Sequence, residues 1–233
     1  TINRARTVVL QTPNIEGIPD NYAVVQELGG ELGLPVYINR DVNNLLLFDL
    51  EDLGLTDCGC VTAIYFGTGL GNAVMLGQKL LLGYHGAAAE LGHLPVYGNR
   101  HVCKCGNPSC LETVVSGLAL EGIQAEHFPQ TPIHQLFARH MGTAVMQDFL
   151  VGMAQVVALE INLFDPDCMV LGGGLLQMEG FPCKQLEALV HRYARKPYPE
   201  RDLRLRYSRP NQENGPVGAA IYACKRMADP QYL

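Results

Sequence analysis

Tryptophan is absent from this chain, charged residues make up only 17% of it, and no excess of positive charge exists: 17 Lys and Arg stand against 23 Asp and Glu. The net charge of −6 argues against a general nucleic-acid or membrane-surface binder, which needs basic charge to meet phosphate. No uninterrupted apolar run approaches the roughly 18–20 residues of a bilayer span, and the first residues lack the basic-then-apolar order of a secretory signal. The expectation is a cytoplasmic protein with neither a membrane nor a nucleic-acid partner. What the chain does have is core material. Hydrophobic residues make up 48% of its 233 positions, too many for disorder and enough for one large domain or one and a half ordinary ones.

Periodicity places the elements. Asp20 is a plausible N-cap for a helix carrying Tyr22, Val25, Leu28 and Leu32, which Gly33 and Pro35 stop. Val36 to Ile38 reads as a strand that delivers Asn39, Arg40, Asp41, Val42 and Asn43 at its end, where active sites of α/β proteins gather. Val61–Phe66 and Asn72–Leu76 read as a hairpin with the glycine-rich tip Gly67-Thr68-Gly69-Leu70-Gly71. Leu150, Met153, Val157, Ile161 and Phe164 mark one stripe of a helix ended by Asp165-Pro166, followed by the buried strand Cys168–Leu171 and Gly172-Gly173-Gly174. Seven basic residues between 191 and 210 read first as a solvated face, with an oligomer contact or an anion-facing surface as the alternatives.

Residues 83 to 112 show little apolar periodicity but much Gly, His and Cys, so something other than a core should hold them. His93, Cys103, Cys105 and Cys110 can supply the four ligands of a closed, structural tetrahedral zinc. The blander alternative is ordinary buried thiols near a chance histidine. Cys58 and Cys60 repeat the close spacing without nearby partners and read as ordinary cysteines. Alternating glycines at 67, 69 and 71 allow backbone amides to approach phosphate, although such a hairpin is also a common tight turn.

Glu90-Leu-Gly-His93, followed by Cys103-Lys-Cys105-Gly-Asn-Pro-Ser-Cys110-Leu-Glu112, resembles the signature of the ROK family of sugar kinases and sugar-responsive repressors. Thr12-Pro-Asn14, Asp41-Val-Asn43, the glycine hairpin and Asn162–Asp167 before Gly172–Gly174 follow in family order, so the likeness covers nearly the whole chain. Arg40–Asn43 and His85-Gly86 look most like the D-allose kinases of that family. The resemblance implies an actin/hexokinase-like (ribonuclease H-like) α/β fold and ATP-dependent phosphorylation of a hexose, allose or a relative, at its 6-hydroxyl, with Mg²⁺ on the nucleotide. It implies Asp41 as catalytic base, whose local alternative is a turn-capping aspartate. Asn14, Asp41, Glu90, His93 and Glu112 would be sugar contacts, the two glutamates otherwise being surface carboxylates. Gly67, Thr68, Gly69, Gly71 and Gly172–Gly174 would lie on the nucleotide side, and His93 would serve metal and sugar through its two ring nitrogens. A homodimer or homotetramer is implied as well. The alternative within the family is the effector-binding part of a transcriptional repressor.

Two departures from the family pattern stand out. Arg40 occupies the position where many members have Asn, and no DxGGT-type phosphate loop precedes Asp41. With Thr1 leading almost directly into the strand-like Arg6–Leu10, the chain is expected to start partway into the fold. Residues 1–37 would be a remnant of a small N-terminal lobe, 38–212 the large lobe with the 83–112 metal motif, and 213–233 a helix packing on the small lobe. The fragment alone is expected to be inactive.

Overall fold

Strand β1 (Cys60–Phe66) is hydrophobic along both faces because it lies at the centre of a five-stranded sheet covered on both sides. Its antiparallel partner is β2 (Leu70–Leu76), which also pairs with the two-residue β3 (Lys79–Leu80). On its other side β4 (Cys168–Gly172) runs parallel, followed by β5 (Leu205–Tyr207), giving the order β3-β2-β1-β4-β5. The computed structural model describes residues 1–12 and 17–232.

The period of two sorts the strand residues between two cores. Ile64, Phe66, Met169 and Leu171 face a core built with the helices α3 (Gly117–His127), α4 (Leu136–His140), α5 (Ala144–Phe164) and α6 (Cys183–Tyr193). Val61, Ala63, Tyr65, Cys168 and Val170 face the other way, onto α2 (Asp41–Asp52) and Tyr222 of α7 (Asn214–Ala228). Helix α5 is 21 residues long and meets the length and composition of a membrane span, which run-counting did not anticipate. It is a core helix, with 56% of its most apolar window buried inside the fold and a narrow polar stripe of Asp148, Gln155 and Asn162 facing outward.

Helix α7 packs mainly along α2, where a Cβ on Gly218 would lie 1.8 Å from the Asn44 carbonyl oxygen. Sequence reading placed this tail against the N-terminal stretch. That stretch is a second contact, through Arg6 over Tyr222 and Arg226 over Tyr37. Arg6 to Leu10 is not a strand: Arg6 takes φ 55, and Val9 alone bridges Ile2 and Tyr22. The same bridge engages the Tyr22 backbone, so α1 (Val24–Leu32) begins after Ala23 and Asp20 caps nothing. Its stop is as read, with Gly33 in the left-handed conformation. Val36 to Ile38 forms no strand either, because no strand of the sheet pairs with it. All seven basic residues of 191–210 are exposed.

Candidate functional site

Asp41 stands at the N-terminus of a helix rather than at a strand end. The chain arrives extended, with Arg40 at φ −67 and ψ 142, and turns into α2 at Asp41, which is exposed. Its Oδ1 accepts the Val42 amide at 2.8 Å. Asn39 sets this corner. Its Oδ1 accepts the Arg40 amide and the Asn43 side-chain amide, each at 3.0 Å, as well as the Arg6 guanidinium, which burial pulls below its ordinary pKa. Arg40 reaches across to the excursion, with Nη2 3.0 Å from Glu90 Oε1 and Nη1 donating to the Ala88 carbonyl at 2.8 Å. Sequence reading recorded Arg40 as a departure and missed both this grip and the organising role of Asn39. The available signal was an arginine inside a run of short polar side chains.

Segment 83–112 holds the 3₁₀ turn Leu91–His93, runs into a second at Leu111–Thr113, and carries isolated bridges from Pro95 to Cys110 and from Val102 to Pro108. The Cys103 amide donates to the Asn107 carbonyl and the Gly106 amide to the Cys103 carbonyl, both at 2.9 Å, folding a knuckle that brings the thiols together. One ligand atom each from His93, Cys103, Cys105 and Cys110 lies within 4.8 Å of the others. His93 Nδ1 is 3.7 Å from Cys103 Sγ, and Cys105 and Cys110 place their sulfurs 3.7 Å apart. A tetrahedral zinc with Zn–S bonds of roughly 2.3 Å sets its ligand atoms about 3.8 Å apart, so the residues fit the ion. Burial pushes the Cys110 thiol up to about 12, while a backbone hydrogen bond from Asn107 pulls Cys105 down. Sulfurs this close ionise together around a cation. His93 turns its other nitrogen, Nε2, toward Glu90 Oε2 at 3.9 Å. Cys58 and Cys60 stand outside the cluster.

Glu112 joins this segment to the glycine hairpin. Its Oε2 accepts the Leu70 amide at 2.9 Å, and Cys103 Sγ lies 3.9 Å from its Oε1. The carboxylate fills the space a side chain at position 69 would need, since a Cβ on Gly69 would sit 2.3 Å from Oε2. The carbonyls of Gly67 and Thr68 accept the amides of Gly117 and Leu118 at the start of α3, at 2.8 and 3.1 Å. Among the described residues, the Thr68 and Gly69 amides have no backbone acceptor. Gly71 differs from its neighbours in the hairpin. It pairs with Tyr65 in the ladder, and a side chain there would strike Val42 at 2.4 Å, so packing on α2 explains it.

Gly172–Gly174 lies beside this hairpin because β1 and β4 are parallel and both end there. Gly173 takes φ +97, and a Cβ would lie 2.3 Å from the Phe66 carbonyl oxygen. No long helix follows directly: Gly174–Gln177 is a 3₁₀ turn and α6 starts at Cys183. Behind the turn, buried Asp49 accepts the hydroxyls of Tyr65 and Ser208, each at 2.7 Å, a link between α2, β1 and the end of β5 that sequence reading missed. Burial raises Asp49 above the usual carboxylate range, with these two donors opposing the shift. Asn14 lies outside the described residues.

The structure therefore gathers Asp41, Glu90, His93, Glu112 and the two glycine turns around the C-terminal ends of two parallel strands, the usual place for ligands in open α/β sheets. A ROK family glucokinase from Streptomyces griseus, in complex with glucose and AMPPNP, superposes with a TM-score of 0.79 at 25% identity over 96% of this chain and 78% of its own. A ROK family transcriptional regulator, a homologue of the E. coli MLC protein, gives 0.77 at 28% identity over 94% of this chain and 59% of its own. The glucokinase of Streptomyces coelicolor is 28% identical over 197 residues, 75% of this chain and 62% of the relative. The chain spans between 51% and 62% of the length of the first curated relatives it matches. With a hexokinase-like fold and a ROK family match over residues 1–226, the chain belongs to the ROK family.

Proposed function

We propose that the protein carrying this chain transfers the γ-phosphoryl group of ATP to the 6-hydroxyl of a hexose, with allose first among the candidates. The observation that carries this reading is Glu112. One carboxylate supports the glycine hairpin through the Leu70 amide and also borders the Cys/His cluster, so the two halves of a kinase site adjoin. Phosphoryl transfer asks a protein mainly for positioning and charge stabilisation. Asp41, exposed at the start of α2, takes the hydroxyl proton on its carboxylate. Glu90 and His93 receive sugar hydroxyls from the excursion side, with Asn14 and Glu112 as further contacts. The Thr68 and Gly69 amides, with the Gly172–Gly174 turn, receive the phosphates of an ATP that carries Mg²⁺. His93, Cys103, Cys105 and Cys110 hold a structural zinc, whose contribution is a closed tetrahedron that orders the segment. The division into a large lobe at 38–212 and a small lobe drawing on 1–37 and 213–233 belongs to the same proposal, as do a cytoplasmic setting and a homodimer or homotetramer.

The likeness to a transcriptional regulator keeps the effector-binding alternative in view, because both classes share this fold. A coupled assay of sugar-dependent ADP release on the whole protein, over allose, glucose and N-acetylmannosamine, separates them. Turnover of one hexose is expected. In Asp41→Asn, kcat should then fall by about 10²–10⁴ while sugar binding persists within a modest factor. No turnover on any hexose, with a sugar instead altering DNA binding, would assign the repressor role.

A further inference from the structure

We propose that Arg40 is a positioning residue: it holds Ala88 to Glu90 in the shape that aims Glu90 at its ligand. Two observations on the same three residues carry this. Ala89 has φ 61, in the left-handed region that an alanine enters only at a cost and without the side-chain hydrogen bonds that help Asn or Asp there. The Arg40 guanidinium grips both residues flanking it, the Ala88 carbonyl through Nη1 at 2.8 Å and the Glu90 carboxylate through Nη2 at 3.0 Å. Such a conformation persists only where the surroundings over-determine it, and here one planar fork closes over the strained residue from both sides.

Arg40 is itself anchored. Its side chain is only 14% exposed, and its amide donates to Asn39 Oδ1 at the corner that begins α2. The Glu90 side chain, by contrast, is 39% exposed, and its other close partner, His93 Nε2, lies 3.9 Å away. An ion pair this open contributes little to stability, so its consequence is orientation. The functional part of this inference rests on Glu90 binding the sugar. The conformational part does not.

The test uses Arg40→Met, Arg40→Lys and the double variant Arg40→Met with Ala89→Gly. Hydrogen exchange is read at the Ala88 amide, bonded to the Leu82 carbonyl, and at the His93 amide, bonded to the Glu90 carbonyl, with α5 amides as the internal standard. In Arg40→Met, exchange at both amides should quicken by about tenfold, and the sugar KM of the whole protein should rise by a similar factor with kcat nearly unchanged. Lysine keeps the charge but cannot grip two acceptors in one plane, so Arg40→Lys should match Arg40→Met. Glycine adopts φ 61 without strain, so the double variant should recover most of both losses. Unchanged exchange in Arg40→Met would overturn the proposal. So would full function in Arg40→Lys, which would make charge alone sufficient, or a double variant without recovery. A wild-type protein that turns over no hexose would defeat the kinase reading, while the exchange measurements would still decide the role of Arg40.

Discussion

The sheet with its helices and the 83–112 segment are held together by different means. Helix α5 buries ten of its 21 residues, and its neighbours supply Leu, Ile, Phe and Met in return. Across residues 83 to 112 only Leu91, Gly92, Cys103 and Cys110 are buried, and two of those four belong to the Cys/His cluster. One region is stable because many interchangeable contacts exclude water. The other depends on a few groups that nothing else can replace. The candidate site side chains collect where the two meet, since Glu90, His93 and Glu112 stand on the excursion while Asp41 stands on α2 and the glycine turns on the sheet.

Removing the proposed zinc should break this comparison most sharply. Structural zinc contributes on the order of 10 kcal/mol to small metal-dependent folds, far more than four buried residues can supply. Cys110→Ser, or treatment with a chelator, is expected to abolish exchange protection across residues 91–113 while leaving α5 protected. Elemental analysis of protein purified without added metal should find one zinc per chain. Collapse of α5 along with the excursion would mean that the two regions are one cooperative unit.

Leu150→Ala approaches from the other side. It empties a fully buried position in α5 and should cost about 2–5 kcal/mol, lowering a single melting transition while zinc stays bound. Zinc loss before that transition would show that the core, not the cysteines, holds the excursion.

A third probe sharpens the account of the core itself. Glu160 is 1% exposed and accepts one hydrogen bond, from Asn72 Nδ2 at 2.8 Å, and burial raises its pKa from the ordinary 4.5 to about 7. Below pH 4.5 the carboxyl is protonated in folded and unfolded chains alike. Between pH 4.5 and 7 the unfolded chain ionises and the folded chain does not, so stability falls as pH rises through that window. At ~1.4 kcal/mol per unit, the loss across the window is about 3–4 kcal/mol at most. Glu160→Gln should remove that slope in denaturant melts at pH 5, 6 and 7. A slope that survives would place its origin in another group.

The sequence displayed whatever depends on local periodicity. The β1–β2 hairpin, α5, β4 and the Gly33 stop follow from patterns within about twenty residues, and the Cys/His cluster follows from spacing within eighteen. Two errors have one cause. Val36 to Ile38 has strand composition but no strand to pair with, and Asp20 has cap chemistry but lies beside a bridge to Val9. Local propensity cannot see a partner distant in the chain. The same limit hid the Arg40–Glu90 pair across 50 positions, and the Asp49–Ser208 bond across 159. Glu112 was legible as a carboxylate of interest, yet its bond to a main-chain amide leaves no mark in residue types.

Strand β1 is hydrogen-bonded along both edges, and the turn that follows it is tied by its carbonyls to α3 and by the Leu70 amide to Glu112. Thr68 and Gly69 thus have little conformational freedom left to lose. An anion settling on their amides would meet donors already in place, and almost none of its binding free energy would be consumed in ordering the loop. Affinity at this end of the site should therefore depend weakly on temperature-induced loosening, whereas any ligand bound by the proposed contacts Glu90 and His93 would inherit whatever motion the excursion retains.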